Sequence, residues 1–268
     1  EIHAFSLPAQ ALTQQTVEAA LAEPQVECNA VAGTLKDSAG LVYFDAAGAV
    51  SGTVRTEADT TAALEALTGQ EDLYTVARIS CFHDPKAANA EVESMGLKNT
   101  GGYIFYDGNN SQWLDPAKPE ARQYLTGIIR EAAALGFDEI LLTDVSYPTE
   151  GKLDKIAYGE EDPAANLAAF FTQVNQTLEK YPEIKVSMEV PAGVIETGAD
   201  EAGKVNLEDV VSAADRLYTA VAVEQVDGLK TLVESYAWPE TEFIPILPQW
   251  EEGIIGSCLT WWTQAEEA

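Results

Sequence analysis

Asp144 and Glu189 close two apolar runs, GFDEILLTDVSYP (136–148) and KVSMEVP (185–191), and Arg78 lies inside a third, YTVARISCF (74–82). A carboxylate set among Ile140, Leu141, Leu142 and Val145 is costly unless something uses or pairs it. Two carboxylates facing each other across a small cleft are the requirement for cleaving a glycosidic bond. One protonates the leaving oxygen, and the other attacks the anomeric carbon or activates water. Separations of roughly 5–5.5 Å give retention and about 6.5–9.5 Å give inversion. On this reading Asp144 is the nucleophile or transition-state stabiliser and Glu189 the general acid/base. Arg78 would hold one carboxylate ionised while burial raises the pKa of the other. The competing reading is an Arg–carboxylate pair that only fills space.

Other polar and aromatic residues stand where apolar runs end. Lys36 and Asp37 follow CNAVAGTL and are expected to contact substrate hydroxyls; Tyr147 lies just beyond Asp144. Trp113, Trp250, Trp261 and Trp262 are candidates for stacking on sugar rings, whose C–H faces suit flat aromatics. Trp261 and Trp262 point to opposite sides of a strand, so at least one is expected in the core.

These residues need elements to carry them. Strand-like segments recur near 2–7, 28–35, 74–82, 139–146, 185–191, 216–222, 243–247 and 256–261. Helical patterns fall between them at 13–22, 58–68, 117–134, 163–180, 206–213 and 225–236. The helix over 117–134 is the clearest: Asp115-Pro116 offers an N-cap and a first-turn proline, and Gly136 follows its end. A hairpin of Leu41–Phe44 against Ala49–Val54 is expected after the second strand, and the polar stretch 149–165 reads as a loop. Eight strands with intervening helices over 1–268 predict a single α/β domain, a (β/α)8 barrel whose chemistry sits at the strands' C-terminal ends. Its last helix would be short or absent. The alternative is an open doubly wound sheet, but Pro8-Ala9-Gln10 stands where that fold carries its Gly-rich turn.

The chain has 268 residues, 46% of them hydrophobic, and a net charge of −29 from 44 acidic and 15 basic residues. So acidic a surface repels phosphate backbones, which argues against nucleic acid as a partner and for neutral or cationic ligands. No apolar run reaches the ~20 residues of a membrane span. The sequence begins at Glu1 with neither methionine nor an apolar leader, as expected of a processed or cut chain. Cys28, Cys81 and Cys258 are widely spaced in apolar runs and read as buried free thiols. No cofactor is expected. P-loop, G-x-S-x-G, H-E-x-x-H and paired C-x-x-C motifs are absent, and His3 and His83 are too few for a His-rich zinc site. A carboxylate-only magnesium or calcium site stays open in so acidic a chain. Cys81 and His83 share a strand face, a spacing read as incidental.

The stretch WLDPAKPEARQYLTGIIREAAALGFDEILLTDVSYP resembles a bacterial glycoside hydrolase domain family first filed as a domain of unknown function. That family carries W-x-D-P, a helix, then G-F-D-E-I-Q-x-D-Y-I-R-F-P. CNAVAGTLKDSAGLVYF and YTVARISCFHDP are similar to its N-A-x-x-x-D-x-K-D-x-x-G and I-A-R-I-x-x-F-x-D-P patterns. The resemblance covers most of 1–195 and implies an amylase-like TIM barrel acting on carbohydrate, on exported or envelope-attached proteins. It places Lys36, Asp37, Arg78, Asp84, Trp113, Asp115 and Asp144 at motif positions. Ser146 stands near the family's arginine, and Glu189 replaces its strand-five aspartate. The family's later P-M-x-Y-P-S pattern has no counterpart in RLYTAVAVEQ. Losing that guanidinium would alter the pKa and placement of the carboxylate beside it. A divergent hydrolase, a glycan-binding or scaffold barrel without turnover, and a carboxylate–metal hydrolase are the three readings that follow.

Overall fold

The computed structural model describes residues 1–22, 28–236, 241–250 and 256–261. Eight parallel strands close into a barrel: β1 (His3–Ser6), β2 (Ala30–Lys36), β3 (Tyr74–Ser80), β4 (Glu139–Thr143), β5 (Lys185–Glu189), β8 (Arg216–Ala220), β9 (Glu242–Leu247) and β10 (Cys258–Trp261). Each strand pairs with its neighbours in the chain, and β10 returns to β1 with His3 opposite Cys258. The ribbon of β6 (Ala199–Asp200) and β7 (Val205–Asn206) lies outside this sheet. All eight expected strands are present, shortened by a residue or more at half of their ends. This is the (β/α)8 barrel, and the open sheet is set aside.

Helices α1 (Gln14–Ala22), α2 (Thr60–Thr68), α4 (Pro119–Ala133), α5 (Pro163–Leu178) and α8 (Val226–Ser235) fill the crossovers, as the periodicity predicts. Short helices α3 (Pro85–Ala90), α6 (Ala192–Thr197) and α7 (Leu207–Val211) lie between them. Helix α4 starts later than Asp115-Pro116 implies: Pro119 is its first residue, and Asp115 instead accepts the Ala117 amide at 2.9 Å. Gly136, at φ +88°, closes the turn beyond its end. The expected hairpin after β2 does not form. Val42 instead makes single bridges to Lys36 and Val54, the second of them parallel. Residues 262–268, where a last helix was expected to be short or missing, and Trp262 with them, lie outside the described residues.

Alternation along the strands sorts side chains to two sides. Outward residues such as Val31, Ile79, Ile140, Leu142, Met188 and Leu217 pack against the helices. Inward residues form a second apolar cluster that includes Ala32, Val76, Leu141, Tyr218, Ile244 and Leu259. Near the N-terminal ends the interior turns polar. Glu139, without exposure, accepts from Tyr74, Ser187 and Arg216, and Arg216 also reaches Glu242 at 2.8 Å. This network and the apolar cluster together close the barrel beneath its C-terminal mouth. Cys28, Cys81 and Cys258 are free thiols. Among the described residues no helix is long and apolar enough to cross a membrane.

Candidate active site

The mouth is built by the last inward residues of β3, β4 and β5. Arg78 pairs with Leu141 in register and Glu189 with Tyr218, while Asp144 follows directly after β4. Asp144 has φ +53°, in the left-handed region that aspartate tolerates better than most residues. The turn still keeps pairing, because the Phe82 amide donates to the Asp144 carbonyl at 3.1 Å. The carboxylate of Asp144 meets the Ser80 hydroxyl at 2.5 Å. Glu189 Oε2 accepts from Arg78 Nη2 at 2.9 Å. Burial raises the Glu189 carboxyl above the usual carboxylate range and Arg78 pulls it back, while the charge of Asp144 adds to the rise. The Arg78 guanidinium lies 4.7 Å from the centre of the Trp261 ring, which is 41% exposed.

Two cavities meet at these carboxylates. One of about 380 Å3 is bordered by His83, Asp107, Trp113, Ser146, Glu150 and Asp200. The other, of about 270 Å3, is bordered by Lys36, Asp37, Arg78, Ser80 and Trp261. Thr143, Asp144 and Glu189 border both, so the pair stands where the two cavities adjoin.

Of the residues singled out in the sequence, Asp144, Glu189, Arg78, Trp113 and Trp261 come together here. Trp113 lies parallel to His83 at 4.4 Å between ring centres, with its indole nitrogen donating to Asp107 at 2.8 Å. The others take different places. Lys36 borders the smaller cavity, but its ammonium is buried in an ion pair with Asp84 at 2.9 Å and donates to the Ser80 carbonyl at 2.8 Å. It braces the ends of the strands and has no exposed atom to offer a substrate hydroxyl. Asp37 is committed to its own turn, accepting from the Ala39 and Leu41 amides and from the Tyr43 hydroxyl. Asp115, 6% exposed, organises the entry to α4; burial raises its carboxyl, and the Ala117 amide lowers it. Tyr147 is fully buried, near Asn166 and edge-on to Tyr158, so it underlies the rim instead of facing a ligand. Trp250 is not at the mouth: its ring lies 5.7 Å from that of His3, the first residue of β1.

Several cleft residues carry no sequence signal of their own. Asp107 and Glu150 come from loops after β3 and β4 and Asp200 from the β6 ribbon after β5, and only folding brings them together. Cys81 and His83 both lie beyond the end of β3: His83 borders the cleft, whereas the Cys81 thiol is buried and pushed up by that burial. Among the described residues no group of His, Cys, Asp or Glu is arranged to hold a metal ion.

Residues 5–219, more than half of the chain, match the sequence family described as "Putative glycosyl hydrolase domain". No curated protein matches the chain. Among solved structures, a hypothetical protein from Ruminiclostridium thermocellum is similar at 22% identity and TM-score 0.54, over 67% of this chain and 96% of its own. A variant of the glycoside hydrolase domain of PelA from Pseudomonas aeruginosa is similar at 14% identity and TM-score 0.50, over 91% and 83%. Aspergillus fumigatus Ega3, in complex with galactosamine, is similar at 9% identity and TM-score 0.52, over 96% and 82%. At these identities the likeness is one of fold.

Proposed function

This chain belongs to the glycosyl hydrolase domain family that residues 5–219 match, and on that premise we propose that its cleft hydrolyses O-glycosidic bonds in an oligo- or polysaccharide. Glu189 is the general acid/base. Its burial favours the protonated form needed to donate to a leaving oxygen, and Arg78 keeps the ionised form accessible for the return step. Asp144 is the nucleophile or the stabiliser of the oxocarbenium-like transition state, aimed by the Ser80 hydroxyl. What supports this reading is that Asp144 and Glu189 both border both cavities, which leaves room on either side of them. A sugar ring on each side would bring the scissile bond over the pair.

The test is turnover of a polysaccharide library by the protein and by Asp144→Asn and Glu189→Gln. Each substitution is expected to lower kcat by about a hundredfold to ten-thousandfold, with the fold retained. Undiminished hydrolysis in either variant removes that residue from the mechanism. Ser146, near the place where the resemblance leads one to expect arginine, favours a second reading: a glycan-binding barrel without turnover. Binding of a glycan by the unmodified protein with no release of reducing ends selects that reading.

A further inference from the structure

A separate hollow of about 460 Å3 opens beside the cleft, walled by Asn99, Phe105, Tyr106, Lys152 and Lys155 from the loops after β3 and β4. Tyr106 is 50% exposed, whereas most large apolar side chains of this protein are buried. Its position is fixed from behind, since Phe105 is 2% exposed and its amide donates to the Leu97 carbonyl at 2.8 Å. Asp107 borders both this hollow and the cleft. The crest between them is an antiparallel bridge of Asp107 with Gly151, reinforced by the Gly108 amide donating to the Glu150 carbonyl at 3.1 Å. A Cβ on Gly151, at φ +105°, would come within 2.8 Å of the Gly108 nitrogen, so the close approach requires glycine there. Neither glycine adds a side chain to the crest; the Glu150 side chain, which accepts from Asn109 at 3.1 Å, lies along it.

We infer that this hollow is a distal subsite of the cleft, and that the ligand filling both is a long, uncharged polysaccharide. The inference rests on the carbohydrate reading above but not on turnover. A partly exposed tyrosine presents a flat face to sugar C–H bonds, while its hydroxyl and the lysines can hydrogen-bond sugar hydroxyls. Charge narrows the class. Among the described residues the larger cavity of the cleft is bordered by carboxylates with no lysine or arginine, and the chain's net charge is −29, so a polyanion is repelled. The hollow instead presents Lys152, with Lys155 paired to Asp154 at 3.0 Å, and the carboxylate of Asp107 already accepts from the Asn109 and Ser111 amides and the Trp113 indole. A polycation would meet the ammonium of Lys152 there. A neutral chain crosses both regions without either penalty.

Affinity electrophoresis of the full chain tests this, in gels containing soluble starch, barley β-glucan, xylan or galactomannan, and separately polygalacturonate or chitosan. At least one uncharged polymer is expected to retard the protein. Tyr106→Ala is expected to weaken that retention about fivefold or more, with Tyr106→Phe close to the unmodified protein. Equal retention of Tyr106→Ala, retention by the charged polymers alone, or no retention by any polymer overturns the inference. The hydrolase reading fails on a different result, Tyr106-dependent retention by a polymer that is never cleaved; hydrolysis with retention indifferent to Tyr106 leaves that reading standing and removes the subsite.

Discussion

The Ser80 hydroxyl lies 2.5 Å from Asp144 Oδ2, so a side chain from β3 fixes the direction of a carboxylate that leaves β4 through a left-handed turn. A hydroxyl donating to a carboxylate is stronger than a neutral hydrogen bond, and here it links two strands at the cleft.

Removing that donor is expected to cost the aim of Asp144 more than it costs the fold. For Ser80→Ala we expect kcat to fall roughly tenfold to a hundredfold, from the ~1.5–3 kcal/mol of a hydrogen bond to a charged group. KM should move little. Separate kcat and KM values on any cleaved glycan decide this. A pure KM effect would mean that Ser80 touches substrate and does not position Asp144.

The pH dependence follows from Glu189, which burial raises and Arg78 lowers. An acid catalyst fails as it ionises, so kcat/KM should decline on the alkaline side. Arg78→Met removes the lowering charge, and the alkaline limb should move to higher pH, at some loss of rate. Stability carries the same sign. A folded-state pKa above the unfolded value contributes stability present below the unfolded pKa and lost as pH rises through the folded one. Glu189→Gln should therefore compare most favourably with the unmodified protein at neutral pH, and that advantage should shrink in acid. A limb that moves to lower pH in Arg78→Met rules out Glu189 as the acid.

Lys36 is expected to report on stability. Lys36→Met leaves the buried Asp84 carboxylate without its cation, a change that typically costs about 3–5 kcal/mol. Replacing Asp84 by leucine as well should recover part of the loss. Urea unfolding of the single and double variants measures it. Normal stability with a raised KM would instead return Lys36 to substrate contact.

The barrel was legible because its signals are local. Alternation and apolar runs marked the strands, and the period of α4 and α5 marked the main crossovers. Asp144, Glu189 and Arg78 could be read because strand order dictates that adjacent ends converge. A side chain's direction is hidden in the sequence where it depends on tertiary partners. Lys36 and Tyr147 stand at the right places in the chain, yet one turns to Asp84 and the other sinks beneath the rim. Trp250 lies beyond the end of β9, but its ring settles against His3. The loop carboxylates of the cleft belong to no periodic segment, so nothing in their neighbouring residues announces them.

The stoppered lumen has a further consequence. Among the described residues, Arg216 and Glu139 lie below and an apolar plug above them, and Glu189 meets water from the cleft. Whatever settles there also shuts that approach. The substrate would act as its own lid, drying the proton donor at the moment of engagement and releasing it to solvent when the products leave.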